Sequence, residues 1–440
     1  MIPFSRSWSL VLLGCLCALP LSAEPWTIDR ALAAALRDNP DARLALQRAA
    51  AADALITQAQ SAWSPQLSLQ GRYTQTNSPM MAFGSILNQR AFNFGLDFNH
   101  PGQIDNLNAT ATLAYNLYSG GRPTAGLAAA RAGARAATQD IHAAHNQLSA
   151  SVVKSYLDIR KARAAVGALE SGVKAYAAAS TVAHLRFTAG QMLRADLLNI
   201  EVQLAQTREQ LAAARHGAAL AERAFNFVLG TENPADPVEL AEDDPALRAL
   251  AAPDLIDFSQ RPELLGLQAR LQAAEAMTRV ARGSRQPTVN AFASYQYDHG
   301  WKLDRQGDSW LAGVTFDLNL FDGGQTSAKI RQSSAELAQV KELLRKATLG
   351  IGLEVEQARL ALTDARERLA VTDQAVAQAE ESAALTRARF SQGLLLTADL
   401  ISVESRLIEV GMRHAFALAD ERIALADYRR ALGQPLFVQP

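Results

Sequence analysis

Few side chains in this 440-residue sequence are spaced for chemistry. His142 and His145 stand three residues apart, so a helix would put them on one face where they could grip a metal ion. No third ligand accompanies them, and a solvated face is the simpler reading. Met80 and Met81 offer two thioethers that a soft metal could use, but beside Phe83 they more simply form an apolar loop packed on a rim. No nucleophile elbow, phosphate loop or zinc-protease motif occurs. The expectation is a protein that is not an enzyme and holds neither metal nor cofactor. What does recur is an acid: Asp196 follows Gly190 by six residues, and Asp399 follows Gly393 by six. After a glycine turn, such an acid complements the positive end of the helix it opens.

Composition narrows the classes further. Apolar residues make up 49% of the chain and aromatics only 6%. Roughly a fifth is alanine, which favours helix and close helix-helix approach. A formal net charge of -1 gives no bulk attraction to polyanions, so no nucleic-acid partner is expected. Charged residues at 20%, with no apolar run of about 18 residues beyond the start, exclude a polytopic helical membrane protein. Residues 1–23 read as a secretory signal: Arg6, an apolar segment from Trp8 to Leu19, then Leu21-Ser22-Ala23 ahead of Glu24. Leu12-Leu13-Gly14-Cys15 loosely resembles a lipoprotein box, an alternative that would acylate Cys15 and leave a second apolar stretch, Leu16 to Ala23, at the mature terminus. In the first reading Cys15 and Cys17 both leave with the signal, and the mature chain has no thiol and no disulfide.

One unit is written twice. Leu117-Tyr118-Ser119-Gly120-Gly121-Arg122 recurs as Leu320-Phe321-Asp322-Gly323-Gly324-Gln325, and Phe187, Gly190, Asp196 and Leu197 recur as Phe390, Gly393, Asp399 and Leu400, 203 residues on (393 - 190). Upstream, Pro40 matches Pro262 and Pro65 matches Pro287 at 222 (262 - 40). The first copy therefore carries 19 extra residues (222 - 203) in one connection, within Asn77 to Asn106. The expected division is a signal at 1–23, a first repeat at 24–230, a Pro- and Asp-rich equatorial segment at 231–260, a second repeat at 261–433 and a tail at 434–440.

No proline falls between Pro123 and Pro234, or between Pro287 and Pro435. Apolar or small residues recur every seventh position at Ile330, Leu337, Leu344, Ile351, Ala358 and Ala365, and at Val152, Ile159, Val166 and Val173, the mark of packed superhelical helices. Long helices are expected over 123–187 and 325–390, each close to ~100 Å at ~1.5 Å per residue, with helices about half as long over 27–62, 195–229 and 398–432. Two half-length helices end to end match one long helix. Gly190 and Gly393 reverse the chain at the far turns.

Segments of about ten residues alternate instead, over 66–76, 107–118, 288–298 and 309–321. Leu67, Leu69 and Tyr73 oppose Ser68, Gln70 and Arg72; Trp310, Val314, Phe316, Leu318 and Leu320 oppose Thr315, Asp317 and Asn319. That is the length of a tilted membrane-spanning strand, and Tyr73, Tyr115, Tyr295, Tyr297, Trp301 and Trp310 cluster at these segments. A soluble hairpin capping a helical rod is the plainer alternative. In a bilayer, four strands would leave an open edge whose bare backbone groups cost several kcal/mol each, so the sheet must close by association. A dimer gives about 8 strands with a filled interior; a trimer gives about 12 and a lumen.

Taken together, these features resemble the TolC-like outer-membrane efflux protein family over essentially the whole mature chain. The resemblance rests on the strand-to-helix turns at Gly120-Gly121 and Gly323-Gly324, and on the far turns, Arg186-Phe187-Thr188-Ala189-Gly190 through Asp196-Leu197 and Arg389-Phe390-Ser391-Gln392-Gly393 through Asp399-Leu400. It implies an α+β fold, mostly α: coiled-coil helices forming a periplasmic tube, and four strands per protomer completing a 12-stranded barrel in a homotrimer. It also implies a channel in the outer membrane of a Gram-negative bacterium that exports small molecules, with outer-membrane lipid, a periplasmic adaptor and an inner-membrane transporter as partners. By position Asp196 and Asp399 match family carboxylates at the periplasmic gate, where three copies of each would converge, repel one another and attract cations. A second family aspartate falls on Ser402, and the linking Tyr and Arg fall on Phe390 and Leu395, so apolar packing is expected to hold the closed state. Adaptor docking is expected around Arg186, Phe187, Gly190, Met192, Leu193, Arg389, Gly393 and Leu394. A type I protein-secretion duct is one alternative. A periplasmic coiled-coil scaffold is another, though it has no need of four membrane-length strands.

Overall fold

The structure, a computed structural model, describes residues 24–97, 99–253 and 255–436. The signal expected at 1–23, with Cys15 and Cys17, lies outside the described residues. In chain order the elements are α1 (Ile28–Asp38), α2 (Pro40–Gln60), β1 (Gln66–Thr76), α3 (Pro79–Asn88), β2 (Ile104–Tyr118), α4 (Arg122–Thr188), α5 (Arg194–Leu229), α6 (Pro245–Ala249), α7 (Pro262–Gly283), β3 (Thr288–Gly300), β4 (Arg305–Asp317), α8 (Gln325–Ser391) and α9 (Thr397–Ala431). The long helices α4 and α8 have 67 residues each; α5 and α9 have 36 and 35. At ~1.5 Å per residue the long pair reach about 100 Å. Alanine-rich sequence with proline only in the first turn of α4 lets these helices run unbroken.

Three stretches differ from expectation. The helix anticipated over 27–62 is two, because Pro40 forces Asn39 out of helical geometry (φ -65°, ψ 130°). Asn39 turns the break to use: its Oδ1 accepts from Asp41 N–H at 2.8 Å and its Nδ2 donates to Val228 O at 2.8 Å. Gly230 packs against the same break at φ +79°, where a Cβ would lie 2.7 Å from Asp38 O. The last strand ends at Asp317, short of Phe321, because its partner β3 begins at Thr288 and leaves Leu318 onward no ladder to join. Finally, the insertion within Asn77–Asn106 contains a helix, α3, and the earlier start of β2.

The strands form one antiparallel sheet in the order β1-β2-β3-β4, with Leu67 opposite Leu113, Ala111 opposite Tyr295, and Tyr295 opposite Trp310. A bulge between Asn116 and Tyr118 bends β2 where the sheet meets the helices. Below it, α4 packs on α2, α5, α7 and α9, while α8 packs on α7 and α9. The largest core lies at the equator and draws Ile28, Tyr156, Phe225, Val238, Leu247, Leu250, Ile351 and Leu425 together, so the segment after α5 is part of the packing. Fully buried Phe225 contributes about 1.5–3 kcal/mol, and it meets Trp26 and Tyr156 edge-on. Tyr156 Oη donates to Trp26 O at 3.1 Å, and burial pushes its phenol above the usual tyrosine range.

Candidate functional site

Both long hairpins turn in the same way. At the ends of α4 and α8, Gln191 N–H donates to Arg186 O (2.8 Å) and Leu394 N–H to Arg389 O (3.0 Å), with Gly190 at φ +71° and Gly393 at φ +81°. This double closure needs a left-handed residue, which glycine supplies without strain. Asp196 and Asp399 then fall in the first turns of α5 and α9, the one half-buried and the other exposed.

Arg186 joins the two turns. Its guanidinium donates to Phe390 O (3.4 Å) and lies 5.8 Å from the Phe390 ring centroid, while a Cβ on Gly393 would come within 3.0 Å of it. A cleft of about 430 Å³ between the turns gathers Arg186, Met192, Leu193, Asp196, Gly393, Leu394 and Leu395. Phe187, Arg389, Asp399, Ser402 and Gly190 do not line that cleft. Phe390 is 2% exposed and packs with Ala183, Leu197, Ile200 and Leu400 inside a single protomer. Leu193, Leu394 and Leu396 instead stand 72–73% exposed at the very end of the molecule.

Just above the turns lie groups the sequence reading passed over. Arg387 Nη2 meets Glu404 Oε2 at 2.7 Å across the second hairpin, and the hydrogen bond to Glu404 raises the guanidinium above its usual range. His184 meets Glu201 at 2.9 Å across the first. Both partners shift by the repeat offset of 203 (387 - 184 and 404 - 201), so the two pairs are one device written twice. A detectable signal was present: in both repeats the basic residue stands six positions before the turn glycine (190 - 184 and 393 - 387) and the glutamate eleven after it (201 - 190 and 404 - 393). Tyr176 Oη donates to Ile401 O (3.1 Å) and shares a hydrogen bond with Ser405 (2.9 Å), tying α4 to α9. The two helices approach closely there, since a Cβ on Gly172 would sit 2.3 Å from Ile408 Cδ1.

At the other end, the ladder register sorts the sheet into two faces. Residues level with Thr110 are Gln70 and Gln296; those level with Thr112 are Ser68 and Ser294, and this face carries hydroxyls and amides. The opposite face carries Leu67, Leu69, Trp310, Val314 and Phe316, each 63–79% exposed. Such a face is stable against lipid and costly in water. Of the charges on the polar face, Arg305 and Asp317 stand at strand ends, and Asp298 is buried, accepting from Asn106, Asn108 and Gln296 at 2.6–3.0 Å. The strand-to-helix corners below hold Gly120, Gly121, Gly323 and Gly324, all with φ between +65° and +89°. Among the described residues no helix is long and apolar enough to cross a membrane, and no three His, Cys, Asp or Glu side chains cluster as metal ligands.

The chain is 27% identical to protein CyaE of Bordetella pertussis over 331 residues, 73% of this chain and 70% of that protein. It is 24% identical to the outer membrane efflux protein BepC of Brucella suis over 286 residues, 63% of this chain and 60% of BepC. The crystal structure of outer membrane protein VceC from Vibrio cholerae superposes with a TM-score of 0.77 at 18% identity, covering 93% of this chain and 97% of VceC. The profile of the family described as "Outer membrane efflux protein" matches residues 31–231 and 258–434, which takes in both repeats. With two-faced membrane-length strands above paired helical hairpins, the chain belongs to the outer membrane efflux protein family, whose members are outer-membrane channels with periplasmic helical tubes and serve as exit ducts.

Proposed function

We propose that this protein is the trimeric outer-membrane exit channel of a tripartite export system, passing small molecules outward and docking at its far turns with a periplasmic adaptor that links it to an inner-membrane transporter. One observation carries the reading: the packing of the two repeats on the long helices is unequal. α7 packs on both α4 and α8, whereas its counterpart α2 packs on α4 but not on α8. Leu44, Leu46 and Leu55 on α2 and Leu349, Leu353 and Leu360 on α8 are 46–68% exposed. A cyclic arrangement lays α2 of one protomer along α8 of the next and pairs the edge strand β4 with the next β1. Three copies then close about 12 strands around a lumen lined by the polar face, with the apolar face to lipid.

At the tip, exposed Leu193, Leu394 and Leu396 suit an apolar partner surface, and Leu395 in the cleft suits a closure made by packing. Phe390, buried within its own protomer, supports the turn from behind. Asp196 and Asp399, three copies each, set an acidic ring near the same level. The test is a heat-modifiable trimer in outer-membrane fractions, together with higher single-channel conductance for Leu395→Asp. A soluble periplasmic monomer overturns the channel reading, and unchanged conductance removes Leu395 from the gate. The transporter captured by cross-linking at the far turns distinguishes small-molecule export from protein secretion.

A further inference from the structure

Helix α3 has no counterpart in the second repeat. It occupies the insertion of the first, carries no charged side chain from Pro79 to Asn88, and is apolar on two opposite sides. Ala82, Ile86 and Gln89, spaced as one helix face, are each no more than 2% exposed. Met80 and Met81 on the other side are 84% and 59% exposed.

The register shows where this helix stands. Gln89 Nε2 donates to Asp105 O (2.7 Å) and to Asn106 Oδ1 (2.9 Å). A Cβ on Gly300 would lie 2.2 Å from Gln89 Oε1, and one on Gly307 would lie 2.0 Å from Asn88 O. Gly300 and Gly307 share a face with Gln296, Asn108 and Thr110, the hydroxyl and amide face. In the trimeric barrel that face is the lumen, so α3 stands inside the rim and not against lipid. Arg90 fixes its end to the edge strand through Asp308 (2.8 Å), beside the seam where the next protomer must pair.

We propose that α3 is an inward-projecting lid at the outer mouth of the channel, and that its partners are the α3 helices of the other two copies, whose Met80 and Met81 meet around the axis and narrow the opening. The proposal rests on the trimeric barrel. A second copy is the occupant because the barrel wall keeps lipid away from this face, while an uncharged helix with an exposed methionine pair is costly in water. The narrowing is made of thioethers rather than charges, so it excludes by size.

The test places a thiol at Thr112→Cys on the polar face, six residues or roughly 20 Å of strand below Asn106, and labels intact cells from outside with a small charged maleimide and a bulky polyethylene-glycol maleimide. The small reagent is expected to react in both backgrounds, and the bulky one about tenfold more slowly with the native lid than in Met80→Asp/Met81→Asp, whose three acidic pairs repel. Gln89→Ala, which undocks the helix, is expected to act in the same direction. Equal rates for the bulky reagent across all three backgrounds overturn the lid. A Leu113→Cys thiol on the apolar face that labels as fast as Thr112→Cys overturns the barrel on which the lid depends.

Discussion

Asp322 shows how one side chain separates two copies of the same corner. Its carboxylate accepts from the Thr326 hydroxyl, Thr326 N–H (2.8 Å) and Gly324 N–H (3.0 Å). The Thr326 hydroxyl bond above all, with those backbone donors, holds its pKa below the ordinary value of 3.8. A carboxylate depressed by folding stabilises the native state above its unfolded pKa, and that contribution is lost as pH falls through the lower folded value. The first copy has Ser119 in this place (322 - 203), so acid should loosen the start of α8 and spare the start of α4. Asp322→Ser is expected to remove the difference, read as hydrogen exchange of the two helix starts from pH 5 down to about pH 3. At this scale the sequence was legible where residues repeat as identical letters, as Gly190 and Asp196 do. It was opaque where the repeat keeps a role and changes the letter: His184 and Arg387 make the same cross-hairpin pair, but His184 is charged only when protonated. Gln89, buried in an unrepeated segment, left no periodic trace at all.

Elements were legible in proportion to their length. Sixty-seven residues of heptad spacing outweigh a few glycines, so α4 and α8 could be read directly, and α3, with ten residues and no charge, could not. Strand ends depend on where a distant partner stops, which explains why β4 ends at Asp317 although alternation continues to Leu320. The corners show the same dependence on contact. At Gly120, φ is +66° and a Cβ would sit 2.5 Å from Gly283 O, so the end of α7 and the corner meet backbone to backbone. Gly120→Ala is therefore expected to cost about 2–4 kcal/mol, combining left-handed strain with overpacking. Thermal unfolding checks it, and a change below about 0.5 kcal/mol would mean that the corner moves freely.

The whole molecule was legible only as an incompleteness. Four strands and one bare helix flank demanded other copies, while the path through them depends on which face turns inward, and that required the register. In the proposed cyclic arrangement the repeat sets Ser61, the counterpart of Gly283 (283 - 222), against Gly323 of the neighbouring protomer, and nothing within one protomer lies within 4 Å of a Cβ there. Gly323→Asn, whose side chain tolerates the φ of +65° there, should thus disturb the assembly more than the protomer: the heat-modifiable band is expected to dissociate at lower temperature with protomer helicity unchanged. Loss of helicity with the same dissociation temperature would refute the cyclic arrangement.

The hydroxyl and amide wall of the sheet carries two arginines, Arg72 and Arg305, against two aspartates, Asp298 and Asp317, so its charges balance within each protomer and the bore holds little net field. Averaged along such a bore, a cation and an anion of equal size would meet nearly the same potential. In the proposed trimer the upper channel is then a neutral pipe in which flux follows the concentration delivered from below, and discrimination by charge falls to the proposed acidic ring at the tip, about 100 Å away.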